Sequence, residues 1–590
     1  MAYDLLTTSG INSLVSAFQI SEQNKLLTPL TTKKTRYQNL DTAYSALSGK
    51  LSSLNSILYD LTLSGSSSPL AAKKGASSNS SFADITAQST ATAGSNTIRV
   101  GQLAQSDLVL SQDPTSTSNS TITTAGTHNF VITAGDGTGG TYTSNIDVTF
   151  IAGDFSGGVI SNQSVMTKIQ SAINTNKAVV KSNSLSGSTL SSGSFALNLN
   201  GTVTTITYAA GTYSTVIDSI VTQINGVSGV SAAKIVDGAN SQLQITVTDA
   251  SKYLTIGTDT GTLVTELGIA TTKLKGASGL VTASTFSPTS TTSQLSITSN
   301  LSGYDNRILS LTDSVGSSVL ASVGLNLGAS RTTFVQNTGL DTAGYVNATT
   351  LLNAKITFNG LSLERNSNTI TDLITGGTIS LKSVMQTTDP TTSLTVSNDV
   401  TSVKAKIQDF ITKFNDVYTS IKSQSASTSA NRGLFLGDTN ASSLLSILNS
   451  IPFSNVSGIS TSEINSLSKL GITFDISTGM KLSNSTQLDD AISNKNNQVI
   501  ALFNSTNGIA SALYNRVNPY LGSTGYIANS RTNFTDRIKY INDSITAQQS
   551  RIDKSASALR NNYLKLQSQL AKLLTTQSMF SSSIFSTTST

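Results

Sequence analysis

The sequence predicts an α+β chain with coiled-coil helices at both termini, a helical and β segment next to them, and inserted β-rich antiparallel domains in the middle. Three observations predict it. Apolar residues near each end recur at the seven-residue period that keeps a seam facing a partner helix. Residues from about 95 to 350 alternate apolar with Ser, Thr or Asn at period two. Clusters of Gly, Asn, Asp and Thr separate those runs, as between antiparallel strands.

The N-terminal helix comes first. Thr28 is placed to cap it, and Pro29 suits a first helical position, where no N–H is needed. Its seam is Leu26, Leu30, Tyr37, Leu40, Tyr44, Leu47, Leu51, Leu54, Leu58 and Leu61, with Lys33 the polar interruption. Gly65 and the SSSP run end the helix.

The C-terminal stripe is independent of the first. Ile538, Ile545, Ile552, Leu559, Leu566 and Leu573 are spaced by sevens. A second column starts at Ile541 and reappears as Ala556, Tyr563 and Leu570, so the seam shifts near Gln548 and Gln549. The helix is expected over 530–579, roughly 75 Å long at the α-helical rise.

Between the ends, strands are read at 97–100, 194–200 and 242–247, with short helices at 165–173 and 216–224. Residues 241–269 resemble residues 293–325, both reading strand, polar turn, strand and a short apolar stretch ending in Gly. Two related β-rich modules follow from that repeat. More strands are expected from 350 to 384. A helix over 399–422 then buries Val400, Val403, Ile407, Phe410, Phe414, Val417 and Ile421, with Asn398 as its cap. Helical patterns near 441–450, 486–503 and 508–521 are punctuated by Pro452, Gly471, Gly508 and Gly522.

Composition narrows the function. Lys and Arg number 37 against 32 Asp and Glu, a net charge of +5 over 590 residues. The basic spots Lys33, Lys34 and Arg36, and Lys73 with Lys74, are too small for the basic face of a nucleic-acid binder. The chain has no Cys and one His, which leaves no thiolate chemistry, disulfide or Cys-type metal site. The start MAYDLLTTSGINSLVSAF lacks the pattern of a cleavable signal. No stretch reaches the ~20 apolar residues of a membrane span. If the protein acts outside the cell, the expectation is that it leaves by a route that reads an uncleaved N-terminus.

Candidate chemistry resolves into structure. The GxGxxG match at Gly135, Gly137 and Gly140 runs into an alternating strand, not a helix, and reads as a hairpin turn. His128 has no nucleophile motif to serve. Asp249, Asp259 and Asp313 sit in turns without calcium-loop spacing. The expectation is a protein that is not an enzyme and takes no cofactor or metal.

The heptads therefore carry the functional reading, either as an internal helix pair or as an assembly surface. The assembly seam is read as Leu26, Leu30, Leu40, Leu47, Leu51, Leu54, Leu58, Ile538, Ile545, Ile552, Leu559, Leu566 and Leu573. A seam Leu or Ile gains ~1.5–3 kcal/mol only when fully buried, and isolated helices are marginal in water. The ends are expected to be poorly ordered in the free subunit and ordered in an assembly.

Four stretches resemble the flagellar filament capping protein family, also called hook-associated protein 2 or FliD. They are SGIN at 9–12, TIRVGQLAQSDLVLS at 97–111, ITFNGLSLERNSNTITDLITGGTISLKSV at 356–384, and GITFDISTGMKLSNSTQLDDAISNKNNQVIALF at 471–503. The third, with Ser367 to Asp372 inside it, separates this family from the hook–filament junction proteins. A surface adhesin with a glycan-binding β head is a further alternative.

The resemblance implies leg ends at 1–45 and 535–590, a leg domain at 46–95 and 350–534, and an inserted head at 96–349. It implies a secreted, extracellular homo-oligomer, commonly a pentamer, at the filament tip. The leg ends dock on the flagellin polymer, and exported flagellin folds and adds beneath the head. The junction protein and a dedicated export chaperone are further implied partners, and the head of some members contacts host surfaces. Deleting 1–40 or 545–590 is expected to leave the head folded and abolish retention at the tip.

Overall fold

The structure is a computed structural model and describes residues 7–187, 189–269, 271–328, 331, 343–427 and 432–585. The first six residues of the N-terminal stretch read above lie outside it. Its helices among the described residues are α1 (Thr8–Leu26), α2 (Thr28–Thr62), α3 (Asn162–Thr175), α4 (Tyr213–Asn225), α5 (Leu263–Glu266), α6 (Val400–Ser425), α7 (Thr439–Ser450), α8 (Ser485–Asn504), α9 (Ile509–Val517) and α10 (Tyr526–Phe585). Together with antiparallel sheets they make an α+β protein. The chain divides into two compact units. One comprises Met1–Lys74, Gln88–Thr90 and Ser397–Thr590; the other comprises Gly75–Ala87 and Ala91–Val396. The strands of 350–396, which the resemblance assigns to the leg domain, lie in the second unit.

In the first unit, α2 presents Leu47, Leu51, Leu54 and Leu58 to one apolar core. That core takes Val403, Ile407, Phe410 and Phe414 from α6 and Leu513 and Val517 from α9. The α6 face is the one the helical spacing predicts. Its cap is not: Asp399 accepts the Ser402 N–H at 3.0 Å, and Asn398 is bonded elsewhere.

Thr28 does not cap α2 either. Leu27 is itself right-handed α and donates its N–H to Gln23 at 2.8 Å, so α1 runs almost directly into α2. The turns before Thr28 are helical too, which leaves it nothing to cap. Pro29, without an N–H, marks the junction. The capping residue is Thr7, whose hydroxyl accepts from Gly10 N at 3.0 Å.

The second unit holds a nested duplication. An outer module runs strand Ser106–Leu110, hairpin Gly126–Gly135 with Thr141–Phe150, α3, hairpin Val281–Phe286 with Gln294–Ser302, and strand Ile308–Asp313. An inner module runs strand Val179–Lys181, hairpin Gly193–Leu199 with Thr202–Tyr208, α4, hairpin Val230–Asp237 with Asn240–Val247, and strand Tyr253–Asp259. The strand pairings are equivalent throughout. The inner module is inserted between α3 and the second hairpin of the outer one. Each has its own core, around Ile169 and Ile297 in one and Ile220 and Ile245 in the other.

Side chains repeat with the strands. Ser111 and Ser182 each accept an N–H on the hydroxyl, from Leu295 and Leu243, both at 2.8 Å. Gln294 and Gln242 each donate Nε2 to the carbonyl of that serine, both at 2.7 Å. Asn174 and Asn225, exposed residues that directly follow the last buried residues of α3 and α4, each bond the edge strand on both its N–H and its carbonyl. Asn174 does so at Ala283 (2.9 and 2.8 Å) and Asn225 at Ala232 (2.7 and 3.0 Å). The amide stands in for a neighbouring strand and blunts an edge that would otherwise invite pairing with another chain. The repeat at 241–269 and 293–325 is thus the tail of a duplication that covers both modules.

The rest of the second unit is a five-stranded and a three-stranded sheet around Ile98, Val100, Ile356, Ile379 and Leu394. The Asn359–Gly360 turn joins two of its strands with both residues at positive φ, 49° and 85°.

Candidate assembly interface

α10 is one helix of 60 residues, about 90 Å long. Its first turns join the core of the first unit through Ile527. Phe534 packs on Tyr44 and Tyr37, at ring separations of 5.5 and 6.0 Å. Arg531 pairs with Asp41 at 2.7 Å, and that hydrogen bond raises the guanidinium pKa above its ordinary value. Tyr44 donates its hydroxyl to Asp438 at 2.5 Å. Burial first, and the Asp438 carboxylate second, push its pKa well above that of a free phenol, so it remains a neutral donor.

Further along, α10 pairs with α2 and then α1 in antiparallel sense. Arg537 stacks over Tyr37 at 5.6 Å, and Gln549 accepts from Gln23 at 3.4 Å. Ile11 and Val15 of α1 close on Ala556, with Leu559 and Tyr563 half-buried beside them. In this register Thr8, where α1 begins, lies close to the level of residue 565. Beyond it α10 continues with Leu566, Leu570, Leu573, Leu574, Met579 and Phe580 exposed, at 49, 39, 66, 51, 60 and 66%.

The thirteen seam positions thus separate into three groups. Leu40, Leu47, Leu51, Leu54 and Leu58 are sealed in the chain's own core. Leu26, Leu30, Ile538, Ile545 and Leu559 are half-buried, while Ile552 is buried. Leu566 and Leu573 are open. Beyond its first turns α10 buries Ile541 and Ala556 of the second column, and only Ile552 of the column of sevens. A column at exact sevens drifts by ~20° per heptad around an α-helix, so it leaves the contact line. The shift read near Gln548 falls inside the eleven-residue step from Ile541 to Ile552, and Gln548 itself is half-buried there. Lys33 is exposed and interrupts nothing. Sequence reasoning missed Ile11 and Val15, because only two α1 positions are fully buried and they make too short a stripe to register.

The sites set aside in the sequence are structural. Gly135 to Gly140 closes a hairpin in which Asp136 accepts the Thr138 and Gly140 N–H groups at 3.0 and 2.8 Å. His128 is half-buried on a strand, edge-on to Phe150 at 5.4 Å. Asp249, Asp259 and Asp313 each bond main-chain N–H groups of the turns that follow them. No helix among the described residues is long and apolar enough to cross a membrane.

Long helices from both chain ends pair with each other in the first unit, and a second, β-rich unit is inserted between them in the sequence, which defines the class of architecture. Residues 8–107 match the family model described as flagellar hook-associated protein 2 N-terminus, and residues 352–575 match the model of its C-terminus. The two matches cover more than half of the chain, which belongs to the flagellar hook-associated protein 2 family. It is 26% identical over 237 residues to flagellar hook-associated protein 2 of Salmonella typhimurium (strain LT2), across 38% of this chain and 49% of the relative. It is 30% identical over 192 residues to the B-type flagellar hook-associated protein 2 of Pseudomonas aeruginosa, across 31% and 39%. The chain spans about half the length of the curated relatives it matches. The crystal structure of the D1-D2-D3 domains of the flagellar cap protein FliD from Escherichia coli aligns over 84% of this chain and 99% of that one, at 20% identity and a TM-score of 0.48.

Proposed function

We propose that the chain is a structural cap at the distal end of a bacterial flagellar filament, where it promotes folding and insertion of exported flagellin and prevents its loss. It acts outside the cell as a homo-oligomer, most simply a pentamer. Its leg ends are residues 1–45 with 535–590, its leg domain 46–95 with 350–534, and its head 96–349. Flagellin is the partner beneath the cap. A dedicated chaperone accompanies export, and the junction protein borders the same filament. The role is mechanical, and no side chain is assigned a catalytic step.

The observation that carries this reading is the uncovered end of α10. Six large apolar side chains between Leu566 and Phe580 are exposed on a helix whose earlier turns are paired. Full burial of each is worth ~1.5–3 kcal/mol, available only to a neighbour outside the described chain. The buried set on α2 fastens the leg, while the open set on α10 is free to bind and release.

The test is a chain carrying Leu566→Asp and Leu573→Asp, expressed in cells that lack their own copy. The purified variant is expected to melt like the parent, and electron microscopy is expected to show uncapped filament ends with flagellin lost to the medium. Normally capped filaments of normal length would overturn the reading.

A further inference from the structure

The seam that α1 covers on α10 does not stop where α1 stops. Ala556, Leu559 and Tyr563 lie against α1. Their spacing of three and four continues without a break through Leu566, Leu570 and Leu573 to Phe580, with Gln577 the one polar place in the row. Alternating steps of three and four are the period at which one helix packs along another. The covered and uncovered turns are therefore one seam, and a helix is the element that fits both.

Charge decides which helix. From Lys554 to the end of α10 at Phe585 the chain carries Lys554, Arg560, Lys565 and Lys572, and no Asp or Glu. All four cations are exposed. None has a carboxylate within ion-pair distance among the described residues. Helix α1 alongside offers one carboxylate, Glu22, which faces its own Lys25 at 3.9 Å. Lys554, Lys565 and Lys572 fall within ~20° of one another around the helix, a column roughly a third of a turn from the seam. Two copies of this face would bring only cations together, and like charges along a helix pair destabilise it. A second copy is thus a poor occupant. A lipid surface also fits poorly. Helices that lie in a bilayer surface set an apolar face against a strongly charged one, whereas Gln567, Ser568, Gln569, Thr575 and Thr576 fill most places around this seam.

We propose that the distal seam of α10 docks on an acidic helix of another protein. That helix sets Leu or Ile against the row from Leu566 to Phe580 and carries Asp or Glu opposite Lys565 and Lys572. The proposal rests on the capping reading, for which it names the chemistry of the surface that receives the leg ends. It also makes this seam a contact with the filament and not one between copies of the cap.

Retention of the fluorescently labelled full chain on the ends of purified flagellin filaments tests it, across about 0.1 to 1 M NaCl, where the screening length falls from ~10 to ~3 Å. Occupancy of the parent is expected to fall as salt rises. Lys565→Glu with Lys572→Glu is expected to cut low-salt occupancy about tenfold and to flatten the salt dependence, with Lys565→Gln and Lys572→Gln in between. Both lysines are exposed, so the melting curve and sedimentation of the free Glu variant are expected to match the parent. A parent that leaves filament ends bare would defeat the capping reading itself. With the parent retained, three results would each overturn the acidic partner alone. They are retention indifferent to salt, a Glu variant held as well as the parent, and a Glu variant with a different subunit number. Parent binding to vesicles of phosphatidylcholine and phosphatidylglycerol that the Glu variant loses, with tip retention unchanged, would reassign the face to lipid.

Discussion

Asn368 holds Ala104 by both main-chain groups: its Oδ1 accepts the Ala104 N–H at 2.8 Å and its Nδ2 donates to the Ala104 carbonyl at 2.9 Å. The two residues lie 264 positions apart, with both nested modules between them. They join two of the four stretches that carry the family resemblance. Asn368 falls in the Ser367 to Asp372 segment, and Ala104 in the Leu-Ala-Gln turn. The neighbours of Asn368 are also committed. Ser367 accepts the Thr369 N–H at 3.0 Å, and Asp372 pairs with Arg365 at 2.7 Å. The motif is therefore a clasp that closes the chain where the modules leave and re-enter.

Asn368→Ala removes both bonds at once and leaves the N–H and carbonyl of a buried Ala104 without partners. An unsatisfied buried group costs ~1–3 kcal/mol, so the loss is expected in that range or somewhat above. Urea unfolding of the two chains is the measurement. Asn368→Asp keeps the acceptor, loses the donor, and is expected to fall between them.

The terminal helices, the α6 face and the alternating strands were legible because each rests on a period that burial imposes over many residues. The α6 face illustrates this, since every apolar position read there from Val403 to Ile421 is buried and Val400 is half-buried. What was illegible depends on single long-range contacts. Nothing local to Asn174 or Asn225 announces that their amides close a strand edge, and Asp399 outcompetes Asn398 as cap because Asn398 is drawn to α8 and Lys73. The full duplication escaped notice for a related reason. Apart from the tail, its two copies share spaced positions such as Val165 with Val216 and Ile169 with Ile220, rather than continuous identity.

Within the leg, a position's exposure decides what its substitution does. Leu51 is fully buried, and Leu51→Ala is expected to destabilise the chain by ~2–5 kcal/mol through lost contacts and a residual cavity. Leu573 is 66% exposed, and Leu573→Ala is expected to change stability by no more than about 0.5 kcal/mol. Both sit on the stripes read as one kind of seam. Denaturant midpoints measured side by side separate a fastening leucine from an assembly leucine.

Asp136 gives the outer module an acid-sensitive joint. Its carboxylate is 2% exposed and takes Lys273 Nζ at 2.7 Å. That hydrogen bond, aided by the Thr138 hydroxyl and the N–H groups of Thr138 and Gly140, holds its pKa well below the usual carboxylate range. A carboxylate whose pKa is lower folded than unfolded adds stability that is complete above the unfolded value, ~3.9, and is lost as pH falls toward the folded one. Melting of the parent and of Asp136→Asn is therefore expected to differ by a constant amount above pH ~5 and to converge below pH ~4.

The two ends of α10 are expected to differ in dynamics as they do in packing. Near Ile527 and Phe534 the helix sits against a large core, reinforced by the Arg531–Asp41 pair. Near Ala556 the core shrinks to the small cluster of Ile11, Val15 and Ala556, with buried Ile552 one turn earlier, and past Leu566 the apolar side chains are exposed. Local opening free energies follow such packing, from near zero at frayed ends up to the global value in cores. Hydrogen exchange by mass spectrometry on the free chain is thus expected to show amides 565–585 and 8–26 exchanging orders of magnitude faster than 40–61 and 527–541. Added filament ends are expected to protect 565–585 selectively, because a neighbour covering Leu566 and Leu573 raises the cost of opening there and nowhere else. Uniform protection along α10 in the free chain would mean that its terminal leucines are already covered, and that the helix has no open surface left for assembly.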